Sequence, residues 1–273
     1  MKKALTIAGS DSGGGAGIQA DIKTFQELSV FGMSAITALT AQNSLGVQGV
    51  YPVSVEGVEQ QIRSVSDDLA PDAVKTGMLF DKEIIDVVAD LADHYHWPEL
   101  VVDPVMVSTS GAKLLKDDAI EHLMTRIVPL ATVITPNIPE AEVMTGMDLN
   151  GLANRKKAAQ ELAAHGAKTI LLKGGHEDGA DTVTDLFYDG KSFHALSVPK
   201  INTKSTHGTG CTYASAITAY LARGETLLDA VILAKKYIHT AIKHGFRIGQ
   251  GPGPVDHTAH RNNPFNELEV TSS

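Results

Sequence analysis

Residues 3–28 read "KALTIAGSDSGGGAGIQADIKTFQEL". The apolar run at 3–9 ends in glycine and reads as a buried strand. After the turn, Ile18, Ile22, Phe25 and Leu28 recur at helical spacing. A strand, a glycine-rich turn and an amphipathic helix open an α/β fold, and the chain goes on in that rhythm. Strand-like runs stand at 34–42, 72–78, 99–106 (broken by Pro104) and 131–137. Helix-like runs stand at 57–69, 82–95, 117–130 and 138–146. Asp117 is placed to cap the third of these helices; in the fourth, Pro139 sits in the first turn and Gly146 near the end. Residues 154–175 read as helix, glycine stop and strand. Residues 184–198 read as a hairpin turning at Asp189-Gly190. Helices at 211–222 and 227–244 follow, separated by Gly224.

This alternation predicts an α/β fold with a mainly parallel central sheet and helices on both faces. The hairpin and the loop at 43–54 are expected to add a small β flap. No composition shift marks a linker, so residues 1–257 are expected to form one domain and 258–273 a loose polar tail.

The 273 residues carry 43% hydrophobic and 20% charged side chains, enough for a sizeable core. A net charge of −9 argues against nucleic-acid or anionic-membrane partners. The start is too short in apolar residues for a signal peptide, and no run reaches transmembrane length. One cysteine cannot form an internal disulfide, which points to a reducing compartment, the cytoplasm.

In sheets of this kind ligands sit beyond the carboxyl ends of the strands. The residues expected there are Gly9, Asp11, Gln42, Gly77, Met78, Asp103, Asn137 and Lys173. The turn Gly208-Thr209-Gly210-Cys211 opens a helix. Its unpaired amides and dipole suit an anion such as a transferring phosphoryl group. Two readings fit Cys211: a thiol whose pKa the helix start lowers, or a small buried filler. Asn137 and Glu140 offer oxygen ligands of the kind Mg²⁺ takes, and equally suit a helix cap. Lys173 suits nucleotide phosphates, or merely snorkels from a strand end. Asp21 is either a substrate partner or a solvated helix position. The glycine loop at 13–17 is neither a Walker P-loop nor a dinucleotide fingerprint, and the next strand ends in Gln42-Asn43 rather than an acid. No zinc or hydrolase motif is present.

These stretches, with "ITALTAQNSLGVQGV" (36–50), "KTGML" (75–79), "VVDPVMVSTSGAKLL" (101–115), "VITPNIPEAEVMTG" (133–146), "LLKGGH" (171–176), "NTKSTHGTGCTYASAITAYLA" (202–222) and "GPGPVDH" (251–257), resemble the hydroxymethylpyrimidine/phosphomethylpyrimidine kinases of the ribokinase-like fold. The resemblance implies ATP-dependent phosphorylation of 4-amino-5-hydroxymethyl-2-methylpyrimidine and then of its monophosphate, in thiamine synthesis. It places Gln42, Gly9, Asp21 and Met78 on the pyrimidine side. Gly208, Gly210 and Cys211 fall at the anion turn, with Cys211 at the position of the catalytic base. Lys173, with Thr209 and Asp103, falls on the nucleotide side, and Asn137 and Glu140 fall at Mg²⁺. A homodimer is implied too. Gly13 stands where the family pattern has serine. Gln42-Asn43 favours the pyrimidine over the ring of the related pyridoxal kinases. A pyridoxal kinase and a non-catalytic pyrimidine sensor are the alternatives.

Overall fold

A computed structural model of the chain describes residues 1–107, 111, 114–175, 181–265 and 267–273, and for Asp117 the backbone alone. The 108–110 and 112–113 part of one motif quoted above, and His176 of another, lie outside the described residues.

β1 (Lys3–Asp11) runs two residues past the apolar stretch and carries the chain to the glycine turn. α1 (Gly17–Glu27) follows, then β2 (Phe31–Asn43), β3 (Gly46–Pro52) and α2 (Val55–Leu69), whose first turn the Ser54 hydroxyl caps. β4 (Ala73–Thr76), α3 (Lys82–Tyr95) and β5 (Leu100–Val102) repeat the unit. β5 stops before Asp103-Pro104. α4 (Asp117–His122) begins after an N-cap at Lys116 that makes no side-chain bond, so Asp117 is the first helical residue and not the cap. The helix expected through residue 130 tightens and loosens instead: a π turn (Leu123–Ile127) leads into a 3₁₀ turn (Val128–Leu130) that contains Pro129. β6 (Val133–Ile134), α5 (Ile138–Thr145), α6 (Leu152–Ala164) and β7 (Thr169–Leu172) come next. The hairpin of β8 (Thr182–Tyr188) and β9 (Phe193–Pro199) turns where expected, with Gly190 at φ 92° and Asp189 Oδ1 accepting from the amides of Lys191 and Ser192. α7 (Thr209–Arg223) and α8 (Leu227–Lys243) are separated by Gly224 at φ 94°, and β10 (Glu269–Ser272) closes the chain.

Among the described residues ten strands form one sheet, in the order β10-β9-β8-β7-β6-β5-β4-β1-β2-β3. The middle, β2-β1-β4-β5-β6-β7, is parallel. Antiparallel strands flank it, β3 on one edge and β8, β9 and β10 on the other. The two segments expected as a flap extend the sheet at its edges: β3 is hydrogen-bonded along β2, and the β8–β9 hairpin continues from β7. The tail expected to be loose is not: residues 269–272 pair with β9 in register Glu269↔Ser197 to Ser272↔His194. Its polar sequence gave no strand signal because an exposed edge strand has no apolar face to bury.

Alternation along the central strands divides the core. Leu5, Ile7, Val74, Val102, Ile134 and Ile170 face α2, α3, α4, α5 and α6. Ala4, Ala73, Val101, Val133 and Leu171 face α1, α7 and α8. Small residues at Ala4 and Ala73 meet an alanine-rich helix, and Ala214, Ala216 and Ala219 of α7 are at most 1% exposed. That pairing brings α7 close to the sheet, with its first turn at the carboxyl ends of the strands.

Candidate active site

A cavity of about 770 Å³ opens at the carboxyl edge of the parallel strands. Gly9, Asp11, Gln42, Gly77, Met78, Asp103, Asn137, Glu140, Lys173, Gly208, Thr209, Gly210 and Cys211 all line it, so thirteen of the fourteen expected residues converge.

Asp21 is the exception. It is fully buried in α1 and does not line the cavity. Its carboxylate takes two bonds from Lys75 Nζ (2.9 and 3.0 Å) and one each from the hydroxyls of Thr6 and Ser215, both at 2.6 Å. Those four bonds satisfy the carboxylate, so a direct contact to substrate is replaced by an internal one. Lys75, also fully buried, does line the cavity. It is a cavity-lining cation that the sequence alone does not single out. Burial works to lower its pKa, but Asp21 outweighs burial and holds it raised, so it remains an ammonium.

Asp11 organises the first glycine turn. Its carboxylate accepts from the amides of Gly13 (2.8 Å), Gly15 (3.0 Å) and Ala16 (2.9 Å), and pairs with His207 Nε2 at 2.8 Å. Burial pushes its pKa up, but His207 and these amides pull harder and leave it lowered. The amides of this loop are thus spent on an internal anion, and the loop is no phosphate cradle. The contact with the second glycine turn is close. A Cβ on Gly208 (φ 81°) would lie 1.7 Å from the Gly15 carbonyl oxygen. Only glycine fits there.

In the second turn, Gly210 and Cys211 stand in the first turn of α7, where amides have no intrahelical acceptor. Lys173 Nζ lies 3.4 Å from where a Cβ on Gly210 would sit. That ammonium donates to Asp103 Oδ1 at 2.8 Å, and the Thr135 hydroxyl also reaches Asp103 (3.3 Å). Burial lowers the Lys173 pKa, but Asp103 and Glu140 outweigh it and hold it raised.

Asn137 and Glu140 form a reciprocal cap at the start of α5. Asn137 Oδ1 accepts from the Glu140 amide and Glu140 Oε2 from the Asn137 amide, both at 2.8 Å. The amide oxygen expected near Mg²⁺ is thus committed to the cap. Burial pushes Glu140 up to about 7, with Lys173 opposing and Asp103 adding to the rise. Among the described residues no group of three or more His, Cys, Asp or Glu is arranged to hold a metal by itself.

Cys211 remains partly exposed to the cavity. The lowered thiol pKa expected at a helix start is not what the surroundings produce. Burial pushes the thiol up to about 11; Lys75 opposes the rise, and the Asp21 and Asp103 carboxylates add to it. The Gly17 amide also donates to the sulfur. At neutral pH the thiol keeps its proton.

A mainly parallel sheet with helices on both faces and a cleft at its carboxyl edge is the architecture of the ribokinase-like small-molecule kinases. A family model described as phosphomethylpyrimidine kinase matches residues 11–256, and the chain belongs to that family. It is 53% identical over 264 residues to the hydroxymethylpyrimidine/phosphomethylpyrimidine kinase of Bacillus subtilis, covering 97% of each chain. The pyridoxal kinase of Staphylococcus aureus in complex with AMP-PCP superposes with a TM-score of 0.93 at 40% identity, over 100% of this chain and 99% of that one. The phosphomethylpyrimidine kinase of Clostridium difficile gives 0.79 at 45% identity, over 89% and 100%.

Removing the Asp21 carboxylate leaves the Lys75 ammonium buried without a partner. Asp21→Ala is expected to cost about 3–5 kcal/mol in urea unfolding, the range for breaking one side of a buried pair. Asp90→Ala, which breaks an exposed pair with Arg126, is expected to cost about 1 kcal/mol or less. Equal small losses would contradict the buried-pair assignment.

Proposed function

We propose that the protein transfers the γ-phosphoryl group of ATP to the hydroxymethyl group of 4-amino-5-hydroxymethyl-2-methylpyrimidine, and then to the resulting monophosphate, as a thiamine-pathway kinase of the cytoplasm. The observation that carries this reading is the convergence of Gln42, Met78, Lys173 and the Gly208–Cys211 turn on one cavity. The curated relative's name supports the substrate, and the AMP-PCP complex of the structural neighbour supports ATP.

Gln42, Met78 and Gly9, which line the cavity, take the pyrimidine. The amides of Gly210 and Cys211 meet charge on the moving phosphoryl oxygens, and Lys173, beside Thr209 and Asp103, holds the nucleotide phosphates. Cys211 Sγ stands where the hydroxyl proton is taken. The thiol first orients the hydroxyl and then gives its own proton to water, an ionisation that the Lys75 ammonium eases; the thiolate takes the hydroxyl proton as the oxygen bonds to the γ-phosphorus and the bond to ADP breaks. Little base strength is needed, because phosphoryl transfer passes through a loose transition state.

The donor chemistry fits magnesium. Glu140 brings a carboxylate that burial holds near neutrality, and phosphates and water complete the oxygen set Mg²⁺ requires. When bound, the ion neutralises charge on the phosphates. Asn137 acts here by fixing Glu140 through the cap.

A second reading, pyridoxal phosphorylation, draws on the higher TM-score of the pyridoxal kinase. The greater identity to the pyrimidine kinase, 53% against 40%, favours the pyrimidine. A non-catalytic sensor would have no use for a lysine set against a helix-start anion turn. The homodimer is supported by Leu39 and Tyr51, 50% and 62% exposed and paired across β2 and β3. Light scattering should return twice the 28.9 kDa of one chain.

Mass spectrometry of products from ATP, Mg²⁺ and equal pyrimidine and pyridoxal tests the substrate. Pyrimidine mono- and diphosphate are expected to form faster than pyridoxal phosphate. Pyridoxal phosphate alone would overturn the pyrimidine assignment, and no product would restore the sensor. Because Glu140 must ionise to hold a cation, calorimetric affinity for Mg²⁺-nucleotide should rise with pH through about 7. Glu140→Gln should flatten that rise; an unchanged profile would remove Glu140 from the metal site.

A further inference from the structure

Behind the turn that follows β7 lies a second buried charge cluster that the reading above does not use. Asp185 of β8, Lys235 of α8 and Tyr213 of α7 are 2%, 4% and 3% exposed, and all three line the cavity. Asp185 Oδ2 accepts from Lys235 Nζ at 2.6 Å and from the Tyr213 hydroxyl at 3.0 Å. Asp185 Oδ1 accepts from the Gly174 amide at 2.8 Å. Gly174 lies flush against β8, where a Cβ would come 2.2 Å from the Thr184 carbonyl oxygen.

A buried ion pair stabilises a fold poorly compared with apolar packing, so stability alone does not account for this one. Its placement does. Gly174 directly follows Lys173, whose ammonium sits against Gly210. Tyr213 is three residues beyond Gly210, on the same face of α7. Asp185 therefore joins the turn carrying the lysine to the helix carrying the anion turn, while Lys235 neutralises the carboxylate that makes the joint.

We propose that Asp185, anchored by Lys235 and Tyr213, is a positioning residue that sets Lys173 against the first turn of α7 and so sets the affinity for nucleotide phosphates. The proposal rests on the nucleotide reading of Lys173.

Three variants test it, with AMP-PCP and pyrimidine affinities measured by calorimetry and folding by thermal melting. Asp185→Leu with Lys235→Met removes the joint without leaving a bare charge. It should weaken AMP-PCP about tenfold, the worth of roughly one hydrogen bond, and leave pyrimidine affinity within about twofold. Asp185→Asn with Lys235→Met keeps an acceptor for Gly174 and should stay within about threefold for AMP-PCP. Lys173→Met should lose AMP-PCP affinity in its own right. A folded Asp185→Leu/Lys235→Met protein that binds AMP-PCP normally while Lys173→Met does not would overturn the proposal. Normal binding by both would remove the phosphate role of Lys173 and the proposal with it. If Asp185→Leu/Lys235→Met fails to fold, Tyr213→Phe carries the test: a loss of about threefold supports the joint and no loss overturns it.

Discussion

The buried pair between Asp21 and Lys75 is the constraint on which the rest of the site depends. Four elements meet at one carboxylate: Thr6 from β1, Asp21 from α1, Lys75 from β4 and Ser215 from α7. Taking both charges out of water costs several kcal/mol per ion, and only full pairing and hydrogen bonding offset it. The arrangement is therefore all or none. It ties the second turn of α7 to α1, β1 and β4 and leaves an ammonium lining the cavity near Cys211.

From that anchor the two glycine turns acquire separate tasks. The first is closed on the Asp11 carboxylate, which consumes its amides and clips it to His207. The second, held against the first by the absence of a side chain at Gly208, has no internal carboxylate of that kind and leaves the first-turn amides of Gly210 and Cys211 without an intrahelical acceptor. The glycine-rich composition of both turns hides this division, and only the bonding of Asp11 separates them. The same anchor complicates the thiol. A helix start and a lysine both favour thiolate, yet burial and two carboxylates push the other way and win in the free protein. Such a thiol suits a reaction in which charge stabilisation matters more than base strength.

Much of the fold was legible in the sequence because its signals are local. The helical spacing of Ile18, Ile22, Phe25 and Leu28 marked α1, and Asp189-Gly190 marked the hairpin. The strand-end residues converged because a parallel sheet puts its strand ends on one edge. What was not legible depends on contacts distant in sequence. Asp21 reads as an ordinary helix residue until Ser215, 194 residues away, is folded onto it. Lys75 sits in a four-residue strand where a lysine suggests an exposed face. The Asn137–Glu140 spacing fits a cap and a metal motif equally, and the structure shows the cap while leaving Glu140 poised near neutrality. The π turn after α4 and the polar edge strand β10 carry no pattern that distinguishes them from helix and loop.

The central claim is geometric: one cavity holds nucleotide phosphates at the second glycine turn and a hydroxymethyl group beside Cys211. A crystal structure with AMP-PCP, Mg²⁺ and the hydroxymethylpyrimidine tests it most directly. The expected density has the terminal phosphate on the amides of Gly210 and Cys211, the lysine of β7's end on the phosphates, and the hydroxyl about 3 Å from Sγ. Phosphates bound instead at the loop of Gly13, Gly15 and Ala16, or a pyrimidine away from Gln42 and Cys211, would contradict it.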